Sequence, residues 1–535
     1  MLTYFIIVPI LIAVLLFMLS HIKVGRAIAI IFQAGFVGAA YYLFTLSQQG
    51  EILTTIGGYE SVLGIVLRAD NVSTVFVLIV AVFFLIASIY SFREKNSRLF
   101  WFLMFLWQGA LVGIFLTRDL FNVFVLVEVV TIVVAILIMF KRKKRYMYDG
   151  MFYLMLNVLV IKFYLFGLGY LYRMTGTLDM EVATLALADI DPGSQMLPYV
   201  LMMTAIAFKS ALFPLFSWLP KAHGSPAAPS AVSAILSGLH IKCTIYLFLR
   251  VQEMFSAVAS DEFFLVIGIV SAVVGFTMAM AQSDIKLILA YSTVSQIGLI
   301  FTALSMGSYY SHVGGMYHIV NHALFKGGLF LGAGAIASAY GTRNVHEIRG
   351  VLRRYPVIGI ATLIAILGMI GAPFFNGSIS KYFMVSDTTT HMNWILTFLS
   401  LGTIITFVKY STILFGKSDT GLEPKESEAN VNTKIPIEQQ VSTFILGALC
   451  FVTGIFGLQS IRFLFDATVY IDALGYLEKA GIFFVSLVAG FFIYKYFVNK
   501  SDLLKRVGSF ELGFRGVCVC IGVFFAALML TVGVL

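Results

Sequence analysis

Apolar runs of about 20 residues recur from one end of this chain to the other, and that recurrence leaves little choice of fold. Such a run, wound as a helix, is long enough to cross the ~30 Å hydrocarbon core of a bilayer. Within lipid a helix is also one of the few ways a backbone can satisfy its own donors and acceptors. Of 535 residues, 60% are hydrophobic and 12% charged, so the chain reads as all-α, a polytopic membrane helical bundle. Sixteen spans can be counted between 3–20 and 515–535, and fourteen to sixteen transmembrane helices are expected. The first run starts at Leu2 without a basic leader or a small-residue cleavage site, which predicts a retained helix.

Charges placed inside these runs carry the functional signal. Glu128, Lys209, Lys242 and Lys381 each fall in an apolar stretch. A charge near the bilayer centre costs at least ~2.5–3.5 kcal/mol, so four of them need partners and point to a proton or cation path. His318 and His322, spaced i, i+4, share one helix face and belong to the residue type that titrates near neutrality. Lys326 and Lys409 are read as anchors that snorkel from helix ends. Ser210, Ser230, Ser233, Ser292, Ser295 and Gln296 are read as wetting the interior or bonding helices together.

Basic residues cluster in alternate loops. Lys23 and Arg26, then Arg93, Lys95 and Arg98, the run at 141–145, Arg343, Arg349, Arg353 and Arg354, and finally Lys500, Lys505 and Arg506 all follow odd-numbered spans. Basic loops stay cytoplasmic, which predicts both termini outside the cell (inner) membrane. The net charge of +9 is thereby a topology signal and carries no nucleic-acid meaning. Cys243, Cys450, Cys518 and Cys520 form no metal or disulfide pattern, so no metal and no cofactor are expected. No phosphate-cradling loop is present, and the chain is expected to have no catalytic chemistry of its own. The polar stretch 416–442 reads as a cytoplasmic loop with too few apolar residues to fold alone.

Two spans carry interruptions beside a lysine. Pro214 follows Lys209 in span seven, and Gly371-Ala372-Pro373 precedes Lys381 in span twelve. Such breaks are tolerated in a membrane where the freed backbone faces protein or water. Spans seven and twelve lie five apart, which predicts two inverted five-helix repeats, a common transporter layout. The expected divisions are 1–98 for three N-terminal helices, 99–251 and 263–415 for the repeats, 416–442 for the loop, and 443–535 for the C-terminal helices.

The stretches FKSALFPLFSWLPKAHGSPAAPSAVSAILSGLHIK, DIKLILAYSTVSQIGLI, YHIVNHALFKGGLFLGAGAI and GMIGAPFFNGSISKYF resemble the signatures of the proton-translocating antiporter-like subunits. That family spans respiratory complex I, the Mrp-type cation/proton antiporters (their D component among them) and membrane-bound energy-converting hydrogenases. The resemblance covers roughly residues 100 to 415. It implies that Glu128 pairs with Lys209, that Lys242 is a central lysine, that His318 and His322 are the span-eleven histidines, and that Lys381 ends the relay. Some relatives carry glutamate at that last position. The resemblance assigns Lys162, inside span six, no role. It is left between support of the Glu128–Lys209 pair, contact with a neighbouring subunit, and helix packing.

An ammonium and a carboxylate 4 Å apart attract by ~4 kcal/mol at an effective dielectric of ~20, enough to decide whether the lysine keeps its proton. The expected function is therefore a proton-translocating membrane subunit of a larger Mrp-type or redox-driven complex, with Na⁺ exchange left open. Its expected partners are other membrane subunits, protons and the bilayer. The alternative is a self-sufficient secondary transporter of cations or solutes.

Overall fold

The computed structural model describes residues 1–19, 22–58, 64–94, 96–140, 144–224, 228–416 and 434–534. Lys95, residues 141–143 of the basic run, 225–227 of the first signature stretch and 417–433 of the polar loop lie outside the described residues. Among the described residues, twelve helices are long and apolar enough to cross a membrane. A thirteenth span is formed if two helices bent by 96° against each other count as one. Several of the sixteen runs counted in the sequence are helices shortened by breaks, which is why fewer meet the length criterion.

In chain order the helices are α1 Leu2–Met18, α2 Ile22–Ser47, α3 Asn71–Tyr90, α4 Arg98–Leu116, α5 Leu120–Ile138, α6 Lys144–Thr175, α7 Met180–Leu187, α8 Pro192–Lys209, α9 Trp218–Gly224, α10 Ser230–Ile235 and α11 Ile241–Met254. They continue as α12 Asp261–Ala281, α13 Ile285–Leu304, α14 Tyr309–Tyr340, α15 Val351–Arg354, α16 Pro356–Ile370, α17 Asn376–Val385, α18 Thr390–Ser411, α19 Ile437–Ile455, α20 Gly457–Phe465, α21 Ala473–Ile493, α22 Asp502–Gly508 and α23 Phe514–Val534. Helices α19 and α20 are the bent pair. A short hairpin pairs Ile52–Thr55 with Val66–Ala69, antiparallel, with Ile52 opposite Ala69.

The chain forms two compact units. The first comprises Met1–Ala228, Leu239–Phe263 and Leu512–Leu535. Here α1 packs on α4, α2 on α3, α5 on α4 and α6, and α8 on α6, α11 and α23. Aromatic side chains fill its interior, with Trp107, Trp218, Tyr153, Tyr164 and Tyr199 fully buried. The second unit comprises Pro229–Gly238 and Phe264–Glu511. Its centre is α14, which is buried along most of its length and packs against α10, α13, α16, α17 and α19.

Each unit contains an interrupted helix. Helix α8 ends at Lys209, so Pro214 sits in non-helical chain after the helix and not inside it. Ala211 there adopts a left-handed φ of 56°, and the Phe213–Pro214 peptide is cis. In the second unit α16 stops at Gly371, whose φ of 81° suits glycine, and α17 restarts at Asn376. Gly377 at the start of α17 packs so closely that a Cβ there would lie 1.9 Å from the Gly368 carbonyl oxygen.

One backbone pattern occurs once in each unit. In the first, Leu120 donates to the Leu178 carbonyl and Met180 to that of Arg118. In the second, Ile285 donates to Arg343 and Val345 to Ser283. The two pairs of bonds are related by a constant shift of 165 residues (120 to 285, 178 to 343, 180 to 345, 118 to 283). Each joins the turn before one helix to the turn after the next, and each carries an arginine–aspartate ion pair, Arg118 with Asp179 at 2.6 Å and Arg343 with Asp284 at 2.8 Å.

Candidate functional site

In the first unit the buried charges gather where α5, α6 and α8 meet. Lys209, the last residue of α8 and only 3% exposed, reaches two neutral acceptors. Its Nζ donates to Thr131 Oγ1 on α5 at 3.0 Å and to Asn157 Oδ1 on α6 at 3.2 Å. Glu128, one turn before Thr131, is taken by Lys162, whose Nζ donates to its Oε1 at 2.7 Å. The direct Glu128–Lys209 pair expected from the sequence is therefore not formed. The reason is geometric: α6 delivers its own ammonium to the carboxylate, while α5 turns a hydroxyl toward Lys209. Lys162, whose role the sequence leaves open, supplies the counter-charge.

Lys242, also in the first unit, is buried one position into α11. It follows a π-helical turn at Leu236–His240, an irregularity that recurs at functional sites. His240 Nε2 lies 3.5 Å from Tyr153 Oη, and Ser210, just past the end of α8, donates to Thr244 Oγ1 at 2.8 Å. The break after α8 is thereby tied to α11 by a hydroxyl contact.

In the second unit His318 and His322 lie fully buried on α14. His318 is bracketed by Ser380 Oγ at 2.8 Å and Gln296 Oε1 at 2.9 Å, and Gln296 in turn donates to Thr403 Oγ1 at 3.2 Å. His322 packs edge-on against Phe325. Lys381, next to Ser380 on α17, donates to the Met369 and Ile370 carbonyls, both at 3.2 Å. These are the last carbonyls of α16, left without intrahelical donors by the break, so the lysine caps the half-helix it follows. A cavity of about 90 Å³ opens beside it, bordered by Ser378, Thr397, Ser400, Tyr476 and Lys479.

Two lysines behave differently from expectation. Lys326 and Lys409 were expected to snorkel, but Lys326 is fully buried and Lys409 5% exposed. Lys326 donates to the Leu289 carbonyl at 2.8 Å and to Ser292 Oγ at 2.5 Å. Lys409 donates to the Met280 and Gln282 carbonyls at 2.7 and 2.6 Å, closing the C-terminal end of α12. Both find acceptors inside the protein, which removes any reason to reach for the bilayer surface. Sequence reasoning did not single out Thr131, Asn157 or Ser380. Their signal, a small polar residue on a buried helix face near a lysine, is legible only once helix rotation is known.

Residues 117–406 match the family described as NADH:quinone oxidoreductase/Mrp antiporter, transmembrane region. This chain belongs to that family. It is 27% identical to the D component of the Na(+)/H(+) antiporter of Bacillus subtilis (strain 168), covering 84% of this chain and 93% of that protein. It is 30% identical to NADH-quinone oxidoreductase subunit N of Desulforudis audaxviator (strain MP104C), covering 85% and 96%. Its fold is like that of a chain in the Mrp complex from Dietzia sp. DQ12-45-1b, with a TM-score of 0.78 at 20% identity, covering 95% of this chain and 99% of that one. The family match embraces all four membrane-embedded charges singled out in the sequence, from Glu128 to Lys381, and both histidines. It also embraces Lys162, Lys326 and Asn157. As a member of this family the chain is a multi-pass membrane protein.

Proposed function

We propose that this chain is a proton-translocating subunit of a larger assembly in the cell membrane, of the Mrp-type antiporter or redox-driven kind. The observation that carries the reading is that a lysine sits beside a helix interruption in each unit, bonded to neutral side chains at Lys209 and to freed carbonyls at Lys381. Neither bonding pattern needs a permanent carboxylate, so each lysine can exist charged or neutral at modest cost. Glu128, Lys209 and Lys242 would serve the first unit, and His318, His322 and Lys381 the second. The 90 Å³ cavity beside Lys381 would give its proton a water path, with Ser378, Ser400 and Lys479 on its wall. The names of the relatives, each one lettered part of a larger whole, favour an assembly over a self-sufficient transporter.

The five-helix repeat belongs to the same proposal. The 165-residue shift between the two backbone patterns supports it, because the same shift carries Thr131 to Gln296, Tyr153 to His318 and Asn157 to His322. Polar residues thus recur at matching places on α5 and α13, and on α6 and α14. An odd repeat inverts its topology, and the alternation of basic loops would put both termini outside.

The test is transport in inverted membrane vesicles containing the chain with its native membrane partners, read as a gradient-driven pH change. Glu128→Gln and Lys209→Ala should each abolish translocation while membrane abundance stays near normal. Full activity in both variants would remove these residues, and the proposed path, from the mechanism.

A further inference from the structure

Lys162 is a membrane-embedded lysine of the first unit that the proposed path does not use, and its geometry is specific. It donates to Glu128 Oε1 at 2.7 Å, and its Nζ stands 4.9 Å from the centre of the Phe124 ring, one turn earlier on α5. Phe124 and Glu128 are spaced i, i+4, so the ring and the carboxylate form two sides of one seat for the ammonium. Thr131, i+3 from Glu128, faces Lys209 instead. One short stretch of α5 is therefore offered two cations, and the carboxylate is given to the outer one. The 165-residue shift carries Lys162 to Gly327 and Glu128 to Thr293, so the second unit has neither member of this pair.

We infer that Lys162 is a positioning residue that competes with Lys209 for Glu128, so that exchange of the carboxylate between the two lysines sets when Lys209 carries a compensated charge. The inference rests on the proposed role of Lys209. The structure holds the state in which Lys162 has Glu128 and Lys209 is left to Thr131 and Asn157. When Glu128 swings to Lys209, that lysine gains a counter-charge and binds its proton. When Lys162 retakes the carboxylate, the counter-charge is withdrawn and the proton is released. Lys162 is the outer of the two cations, its side chain 43% exposed and that of Glu128 18%, whereas Lys209 is buried. Bringing a carboxylate from ~8 Å to ~4 Å of an ammonium at an effective dielectric of ~20 changes its proton affinity ~30-fold, or about 1.5 pH units.

Other titratable or charged groups on the packed elements include Arg98 on α4, Tyr153 and Tyr164 on α6, Glu181 on α7, Lys221 and His223 on α9, Lys242, Cys243, Tyr246 and Arg250 on α11, with His240 just before it, and Arg515, Cys518 and Cys520 on α23.

The experiment measures the pH profile of translocation in the same vesicles for Lys162→Met, Lys162→Gln and Lys162→Arg, with membrane abundance followed by immunoblot. Without its competitor, Glu128 stays with Lys209 and the proton is held to higher pH. Methionine and glutamine variants should therefore lose about tenfold in rate at neutral pH and move the profile alkaline by about one unit. The arginine variant should restore both. An unshifted profile in the methionine and glutamine variants would overturn the inference, as would failure of arginine to rescue a protein present at normal abundance. If Lys209→Ala transports normally, the proposed path fails first; if it is inactive while the Lys162 profiles are unshifted, only the competition fails.

Discussion

The two lysines beside the helix breaks solve one problem in different ways. In the first unit Lys209 closes α8 and leans on side chains, Thr131 and Asn157, while an ion pair between Glu128 and Lys162 sits one turn away. In the second unit Lys381 follows the break and leans on backbone, the Met369 and Ile370 carbonyls, with no carboxylate in contact among the described residues. Side chains can rotate away from a lysine, whereas carbonyls at a helix end are fixed. The first arrangement is suited to switching its electrostatic surroundings, and the second to presenting a steady cradle from which a proton leaves.

The largest effect should come from the tightest part of the second unit. Gly377→Ala would place a Cβ 1.9 Å from the Gly368 carbonyl oxygen, forcing α16 and α17 apart. Overpacking of this kind costs about 3 kcal/mol. The variant should melt well below wild type in detergent and lose the Lys381 cradle; a normal melting temperature would mean that the two half-helices slide freely and that the cradle is not fixed. Next comes Lys381→Met, which keeps the bulk but leaves two carbonyls without their donor, at about 1–2 kcal/mol, since the neighbouring cavity lets water replace part of the bond. Lys381→Glu is the sharper probe. A glutamate carboxylate faces two oxygens and fits only when protonated, so this variant should transport toward acid pH and fail above neutrality, whereas methionine fails throughout. Wild-type behaviour of the glutamate variant at all pH values would show that the carbonyls do not shape the site.

Much of this is legible in the sequence, for identifiable reasons. A lysine or glutamate inside an apolar run is visible without a structure, because lipid tolerates so few of them. Pro214 and Gly371-Ala372-Pro373 announce interruptions through backbone chemistry alone. Partner choice is another matter. Which of Lys162 and Lys209 reaches Glu128 depends on the rotation of α6 about its axis, which the sequence does not state. Lys409 escapes a reading by position because a lysine near a helix end snorkels or caps according to whether a free carbonyl lies within reach, and Lys326 because α14 runs well past it at both ends and places it mid-helix against α13. The π-helical turn at Leu236–His240 has no signal either, since it adds one residue to a hydrogen-bond loop without changing composition.

On the first unit's side of the comparison, Thr131→Val should act more mildly. It removes the hydroxyl that accepts from Lys209 and itself donates to the Val127 carbonyl at 2.8 Å. Losing one such bond costs ~1 kcal/mol. Asn157 remains as an acceptor, so translocation should fall a few-fold and not vanish. If Thr131→Val were as damaging as Lys209→Ala, the side chains around Lys209 would be as indispensable as the carbonyls around Lys381, and the contrast between the units would collapse.

The smallest expected effect lies outside the membrane spans, at the cap of α3. Asp70 accepts from the Ser73 backbone at 2.7 Å and pairs with Arg250 and, at 3.1 Å, with Arg68. Burial pushes its carboxyl up, but Arg250, the Ser73 amide and Arg68 together outweigh burial and hold it below the usual aspartate range. A carboxylate depressed in the folded state adds stability at every pH above its unfolded value of ~3.9, and that stability drains away as pH falls through the folded value. The first unit should therefore soften below about pH 4, measurable as a falling melting temperature in detergent. Asp70→Asn keeps a good helix cap but loses both ion pairs, so it should cost at most ~1 kcal/mol at neutral pH and abolish this acid dependence. An Asp70→Asn variant that still softened below pH 4 as wild type does would assign the acid sensitivity to other groups of the unit and remove Asp70 from the account.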